Sequence, residues 1–274
     1  MHVRSKRARC PGIIIALSLG VSASAQTSAP ASQAAPDAEV DQILTRLEDR
    51  QVQDLHAAVS WRQEYVKDAP EDWVTKRGEI WYQKADPVAK FLIRFTEKIT
   101  GERRDKLDEQ HMFDGCWYVK VESRTKSVER HEIRRPNDPG SPYKVGEGVF
   151  PLPFGQKKAD VLREFEVAKV APDPNDPQNT DHLHLVPRQG TKTGQSYKQL
   201  DFWIDRAGPT AGLPIKVRVA KITGTGQLDS YIVITFSDAQ LNTGFNGSIF
   251  DIKTPAGYTV SEERLEPIGP PQER

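Results

Sequence analysis

The clearest structural signal in the chain lies at residues 111–130, HMFDGCWYVKVESRTKSVER. Its run CWYVKVE alternates with the period of two that is typical of a half-buried β-strand. The Asp-Gly pair directly before this run predicts a hairpin, because it favours the positive φ angles of a type I′ turn. Trp117, Val119 and Val121 fall on one predicted face of the strand. That face either packs a closed core or lines a ligand cavity.

Short runs with the same alternation recur through the rest of the chain. They are rich in β-branched and aromatic residues and are separated by Gly, Pro, Asp or Asn. No long helical pattern comes between most of them, which favours antiparallel pairing over a parallel βαβ sheet. About ten runs share these features, namely VSWRQEYV, GEIWYQK, AKFLIRFTEK, CWYVKVE, SVERHEI, FEVAKV, HLHLVPR, QLDFWID, PIKVRVAKI and SYIVITF. The sequence therefore predicts an α+β fold that is mainly β.

Two segments have a helical pattern instead. Residues 38–56 follow a candidate N-cap, Asp37, and their apolar residues recur near a spacing of 3.6. The apolar positions are Val40, Ile43, Leu44, Leu47 and Leu55. Residues 155–165, GQKKADVLREF, form the second predicted helix. Two helices cannot easily cover the apolar face of about ten strands, so both a closed core and a ligand cavity stay open as interpretations.

The N-terminus has the pattern of a cleavable secretory signal. Four basic residues precede the apolar run IIIALSLGV, and the small residues ASA at 23–25 predict cleavage near Ala25. An apolar run of nine residues is about half of what a membrane-spanning helix needs. We therefore expect a signal segment at 1–25, a flexible linker at 26–37, one folded domain at 38–266 and a short tail at 267–274.

Charge and cysteine content narrow the possible functions. Loss of the four basic signal residues leaves 34 basic against 38 acidic residues, a net charge of about −4. Such a chain has no broad electrostatic basis for binding nucleic acid. Cys116 is the single cysteine after the predicted cleavage site, so no internal disulfide is expected. The prediction is an exported protein without a cofactor that acts as a monomer.

Three weaker signals point to other functions. His182 and His184 fall on one strand face, as half of a zinc site would, but no third ligand has a matching spacing. The acidic, Pro-rich stretch at 171–181 lacks the glycine and the final carboxylate of a calcium loop. Asp201 and Asp205 flank an aromatic strand, but nothing in the pattern brings them together as a hydrolytic pair. We therefore predict neither a metal site nor catalytic residues.

The predicted strands carry a set of candidate cavity residues. Alternating positions on three consecutive strands pair into one patch, which the first helix and the Pro-flanked loop VFPLPFG can reach. The strand positions are Ile80, Tyr82, Phe91, Ile93, Phe95, Trp117 and Val119. The helix contributes Leu44 and Leu47, and the loop contributes Phe150, Leu152 and Phe154. From spacing alone, this set either packs a closed core or lines a hydrophobic ligand-binding cavity.

The order of several motifs resembles the LolA-type outer-membrane lipoprotein carrier family. The run GEIWYQKADPVAKFLIRF is followed by FDGCWYVKV, and DFWID is followed by GLPIKVRV and ITFSDAQLNTGFNGSIFDIKTPAGYTV. The resemblance covers residues 38–266. It implies an unclosed antiparallel half-barrel whose helices cover the concave face as a lid, with a cavity that accepts lipoprotein acyl chains. It also implies a periplasmic location, with a donor complex at the inner membrane and an acceptor at the outer membrane.

One position departs from the family pattern. Family carriers place an arginine just before the proline of the strand, where it contacts the lid, and the corresponding basic residue here is Lys84, before Pro87. A lysine lacks the planar fork of donors that arginine provides. Two functions therefore remain. One is a carrier of lipoprotein acyl chains or other lipid, and the other is a binding module that senses lipid or lipoprotein and signals to a partner.

Overall fold

The computed structural model describes residues 37–50, 52–85, 88–135 and 157–266. The predicted signal segment, the linker apart from Asp37, and the C-terminal tail lie outside the described residues. Within the described part, twelve strands form one sheet with the order β12-β6-β5-β4-β3-β2-β1-β11-β10-β9-β8-β7. The strands are β1 (Asp54–Tyr65), β2 (Val74–Gln83), β3 (Lys90–Thr100), β4 (Arg103–Phe113), β5 (Trp117–Glu122), β6 (Ser127–Glu132), β7 (Phe165–Val170), β8 (Thr180–Pro187), β9 (Tyr197–Asp205), β10 (Pro214–Ile222), β11 (Leu228–Leu241) and β12 (Thr259–Glu263).

The sheet is open, with β7 and β12 at its edges, and it is strongly curved. His111 on β4 and Val219 on β10 line the same cavity of about 240 Å³, although five strand-to-strand steps separate β4 from β10. In a flat sheet those steps would span about 24 Å. The sheet must therefore bend so that one face is concave, and the predicted unclosed, mainly β half-barrel is confirmed.

Within the described residues, three α-helices accompany the sheet: α1 (Ala38–Asp49), α2 (Lys158–Glu164) and α3 (Lys192–Ser196). The predicted N-cap is confirmed, since the Asp37 side chain accepts a hydrogen bond from the Glu39 amide at 3.0 Å. The first helix was predicted to reach residue 56, which is wrong. Leu55 continues the helical spacing, but it also begins the alternation of Ala57 and Val59, and the strand pairing prevails. No helix among the described residues has the length and apolar character needed to cross a bilayer.

Two strands and one pairing direction differ from the prediction. Strand β4 begins with a mostly charged half that lacks an apolar alternation, and β12 is exposed along its length. Strand β12 lies parallel to β6, so the prediction of a purely antiparallel sheet is wrong at this edge. The hairpin at Asp114 and Gly115 between β4 and β5 is confirmed, but the predicted type I′ turn is wrong, because Gly115 has a positive φ of 110° and Asp114 does not. Its turn is held by Asp114, whose carboxylate accepts from the amides of Cys116 and Trp117 at 2.9 and 2.8 Å.

Gly78 lets β2 and β3 approach closely on the concave side. The register shifts between Arg77 and Gly78, and a Cβ atom at Gly78 would lie 1.9 Å from the Arg94 carbonyl oxygen. That oxygen belongs to the backbone, so it cannot move aside as a flexible side chain would. No residue other than glycine fits this position without separating the two strands.

Replacing Gly78 with alanine should destabilise the fold by about 3 kcal/mol, the upper end of the range for overpacking. Gly224→Ala is the matched control, because a Cβ atom there meets no atom within 4 Å and the residue has no positive φ. Urea unfolding of both variants measures the difference. Equal midpoints for the two variants would contradict the close approach of β2 and β3.

Candidate functional site

The candidate site is the concave face of the sheet over strands β1 to β5 and β11. Cross-strand pairs share a face, so the register places Ile80, Ile93 and His111 side by side across β2, β3 and β4. Around them lies an apolar group that we call the strand cluster. Its buried members are Val52, Leu55, Ala57, Val59, Ile80, Tyr82, Val88, Phe91, Ile93, Phe95, Phe113, Tyr118, Leu213, Ile234 and Phe236. All of these come from strands and the loops beside them, and none comes from a described helix.

A second apolar group occupies the concave face over strands β7 to β10, and we call it the helix cluster. The buried side chains of α1 and Val161 of α2 pack there against the sheet. The sheet contributes Phe165, Leu183, Leu185, Leu200, Phe202, Ile204, Val217 and Val219. Ile232 is packed against both clusters, which makes the apolar face continuous. Helices α1 and α2 therefore pack at one end of the concave face.

The outer face carries a third apolar group, the outer cluster. Its buried members are Trp81, Leu92, Met112, Val119, Val121, Val128 and Phe250. Trp117 and residues of the segment between β11 and β12 pack against it, including Phe245 and Tyr258. This segment crosses the outer face of the sheet, so strands β2 to β5 have apolar side chains on both faces.

Five of the predicted cavity residues lie together, in the strand cluster: Ile80, Tyr82, Phe91, Ile93 and Phe95. The prediction that Trp117 and Val119 join them is wrong. Val119 pairs with Met112, which pairs with Leu92, and all three belong to the outer cluster. Alternation locates a strand, but when both faces are covered it does not say which face is concave.

The other predicted site residues have different positions. Leu44 and Leu47 belong to the helix cluster and do not meet the strand cluster, because α1 packs on the opposite end of the sheet. Lys84 follows β2, is exposed, and donates its backbone amide to the Gln53 carbonyl at 2.7 Å. Its predicted lid contact stays a prediction. Phe150, Leu152 and Phe154 lie outside the described residues.

In the described part of the chain, cavities border the strand cluster at two places. The larger, of about 320 Å³, lies beside the turn between β9 and β10 and is lined by Leu55, Leu213, Phe236 and Ala239 among others. The smaller, of about 240 Å³, lies toward the middle of the curved sheet. Its apolar wall consists of Trp61, Phe95, Val219 and Ile232. The strand cluster therefore has open space at two places along its length.

A chain of hydrogen bonds forms the polar wall of the smaller cavity. Lys76 Nζ donates to both carboxylate oxygens of Glu109, at 2.7 and 2.8 Å. His111 Nε2 lies 2.6 Å from Glu109 Oε1, and His111 Nδ1 lies 2.6 Å from the Tyr118 hydroxyl. An ionised carboxylate only accepts, so Nε2 carries the imidazole proton and the Tyr118 hydroxyl donates to Nδ1. Both imidazole nitrogens are thus engaged, and neither is available as a base.

The charge states of this network follow from burial and pairing. Burial alone would raise the pKa of Glu109, but hydrogen bonds from His111 and Lys76 outweigh it and lower the pKa to about 2. Burial lowers the pKa of His111, and Glu109 offsets only part of that effect. Burial, with the charge of Glu109, raises the pKa of Tyr118. At neutral pH the wall consists of a carboxylate, an ammonium, a neutral imidazole and a phenol.

Glu109→Gln should lower stability at pH 7 by about 2–3 kcal/mol, because it removes charged hydrogen bonds from a buried network. Glu109 has a pKa of about 2 in the folded chain and an ordinary value of 4.5. Its stabilisation is therefore present above about pH 4.5 and is lost as the pH falls toward 2. Urea unfolding measures the free energy of unfolding of wild type and Glu109→Gln. The difference between the two should disappear as the pH falls from about 4.5 toward 2.

Glu79→Gln is the control for this measurement. Glu79 lies 3.2 Å from His56 and its side chain is 52% exposed, so we expect a change of about 1 kcal/mol or less. If the difference in free energy of unfolding between wild type and Glu109→Gln stays constant from pH 7 to pH 2, the claim that ionised Glu109 stabilises the fold is contradicted.

The histidines and aspartates considered above for a zinc or hydrolytic site are engaged in local hydrogen bonds. His184 Nδ1 and His182 Nε2 lie 2.7 and 3.3 Å from the same oxygen of Asp201, so the two imidazoles share a carboxylate. Asp205 instead bonds within its own turn, to the Ala207 amide and the Thr210 hydroxyl. Among the described residues, no group of three or more His, Cys, Asp or Glu side chains could hold a metal ion.

Comparison with known proteins gives similarity in structure only. No family model matches the chain, and no curated protein matches it. A LolA superfamily protein from Nitrosomonas europaea is similar at 13% identity over 77% of this chain and 96% of that one, with a TM-score of 0.38. LprF from Mycobacterium bovis is 10% identical over 82% and 99%, with a TM-score of 0.39. A DUF1329 family protein from Desulfovibrio piger is 12% identical over 77% and 95%, with a TM-score of 0.41. Likeness at this level does not assign a function.

Proposed function

We propose that the chain is a carrier that binds the acyl chains of lipoproteins, or of related lipids, in the concave face of its sheet. An acyl chain exposed to water costs about 0.8 kcal/mol per CH₂ group, so a carrier needs an apolar site that shields it. Such a site needs no catalytic group. In the described part of the chain, apolar side chains dominate the concave face.

The observation that carries this proposal is the position of the two cavities along the strand cluster. Phe236 lines the larger cavity and Phe95 lines the smaller one, and both side chains belong to the same cluster. A flexible apolar chain that enters one cavity therefore contacts apolar side chains on the side that faces the other cavity. The smaller cavity alone, at about 240 Å³, lies below the usual size of a small-molecule pocket, about 300–1,000 Å³. Binding a long chain therefore requires the cluster to open between the two cavities.

Polar groups at the smaller cavity suit the polar end of such a ligand. Tyr197 and Lys221 line it opposite the hydrogen-bonded wall. Burial raises the pKa of Tyr197, so its phenol remains a hydrogen-bond donor at neutral pH. A phenol and a nearby ammonium are suitable partners for the carbonyl of an ester or for a carboxylate.

We place this carrier in the periplasm, acting as a monomer between an inner-membrane donor complex and an outer-membrane acceptor. The predicted signal segment at residues 1–25 supports export. The resemblance of residues 38–266 to the lipoprotein carrier family supports the direction of transport. Fractionation of cells that express the full chain, followed by N-terminal sequencing, checks the export, and a soluble periplasmic protein that starts near Gln26 is the expected result.

Filling the larger cavity tests the binding site directly. Ala239 lines this cavity and packs against the strand cluster, so Ala239→Phe should place an aromatic ring in space that the ligand needs. We expect a fluorescent fatty acid to bind about tenfold more weakly, a loss of about 1.4 kcal/mol. The thermal midpoint should change little, because the ring occupies an existing cavity.

Ala168→Phe is the matched control, since Ala168 is exposed on β7 at the edge of the sheet. It adds the same ring away from both cavities and should leave fatty acid binding unchanged. If Ala239→Phe is folded and binds the fatty acid as tightly as wild type, the concave-face carrier is excluded.

A further inference from the structure

The outer face of the sheet contains a recess of about 500 Å³ over strands β1, β2, β9, β10 and β11, which we call the outer recess. It lies on the face opposite the strand cluster, and it is lined mainly by polar side chains. Lys216 and Arg218 of β10 form one wall, and Arg62 of β1 and Arg77 of β2 form the other. Glu64 is the one acidic residue in its lining.

The strand register explains the shape of the recess. One row across the sheet runs from Lys216 through Thr235 and Ser60 to Arg77. The next row runs from Arg218 through Val233 and Arg62 to Thr75. Small side chains thus form the floor between two cationic walls. Three strand-to-strand steps separate Lys216 from Arg77, a backbone distance of about 14 Å in a flat sheet.

The cations of the β10 wall have no carboxylate partner within 4 Å among the described residues. Asp201 lies directly across the strand pair from Arg218, but its carboxylate accepts from His184 and Gln199 instead. Aromatic rings hold the two cations in place: Lys216 Nζ lies 4.2 Å from the ring centroid of Trp203, and the Arg218 guanidinium lies 3.8 Å from that of Tyr231. Two like charges on one face of a strand repel each other unless an anion joins them.

The opposite wall also keeps free donors. Arg62 Nε lies 3.0 Å from Glu64, and Arg77 lies 3.7 Å from Glu97, a carboxylate that Arg104 also approaches at 3.2 Å. Each guanidinium has five N–H donors, and one ion pair leaves several unused. The recess thus presents four cations against one lining carboxylate, in a chain whose basic and acidic residues are equal in number.

We propose that the outer recess binds a phosphate-bearing ligand. Arginine and lysine side chains are the usual partners of phosphate oxygens, and the hydroxyls of Ser60 and Thr235 on the floor supply further donors. A recess between two walls suits a compact, multiply charged group that enters it. The phosphate group belongs either to a free anion or to a lipid headgroup, and the recess recognises the same chemistry in both. This site is independent of the acyl site, since the two lie on opposite faces of the sheet.

The test compares wild type with Lys216→Gln/Arg218→Gln, measured by calorimetry with inorganic pyrophosphate. Loss of two charge-assisted contacts should weaken binding about tenfold or more. Arg103→Gln/Arg124→Gln is the matched control, because it removes the same net charge from hairpin side chains that are 78% and 83% exposed. The control should bind pyrophosphate as wild type does, and thermal midpoints verify that all three proteins are folded.

A second arm identifies the source of the phosphate, using co-sedimentation with phosphatidylcholine vesicles that contain phosphatidylglycerol. Pyrophosphate binding that is lost only in the β10 variant indicates a free anion. Vesicle binding that is lost only in that variant, without pyrophosphate binding, indicates a lipid headgroup. The proposal is overturned if the wild-type protein binds neither pyrophosphate nor the vesicles, or if the β10 variant and the control variant lose binding equally. It is also overturned if polyglutamate binds the recess and neither phosphate probe does. Fatty acid binding should be unchanged in the β10 variant, which separates this result from the test of the acyl site.

Discussion

Cross-strand pairing in one curved sheet determines which side chains meet across the twelve strands. The row from Ile80 through Ile93 to His111 is set by register, and neighbouring side chains on the same strands point to the other face. A shift of one residue would exchange the two faces. Gly78 matters in this setting because it allows the close approach of β2 and β3 at a register shift. The strand cluster, the polar wall and the outer recess all depend on this pairing.

Curvature gives the two faces different chemistry. On the concave side, β4 and β10 approach each other, so Glu109, His111 and Lys221 line one small cavity together with apolar side chains. Burying the Glu109 carboxylate and the Lys76 ammonium there is tolerable because they pair with each other through hydrogen bonds. On the outer side, cations stand apart over a floor of small side chains. We propose that the first arrangement suits the acyl chain of a lipid and that the second suits a phosphate group.

Much of the fold could be predicted from alternation alone, because the β-branched and aromatic runs are short and clearly bounded. The period of two does not specify a face, which is why Val119 was assigned to the wrong side of β5 while its neighbour Tyr118 belongs to the strand cluster. Helical spacing at Leu55 likewise coincides with strand alternation. The polar wall was not predicted, because Glu109 and His111 lie on the unpredicted strand β4 and Lys76 meets them only through the pairing of the strands. Strand β4 gave a weak signal, since its first half is mostly charged.

The most direct test of the carrier account is photo-crosslinking of the full chain with a diazirine-labelled fatty acid, followed by mass spectrometry of the labelled residues. Ile93 and Leu92 are adjacent and equally buried, yet they belong to opposite faces of β3. The account predicts adducts on Ile93, Phe95 and Phe236, which line or border the two concave cavities. Adducts on Leu92 and its outer-face neighbours, or labelling spread evenly over both faces, would contradict it.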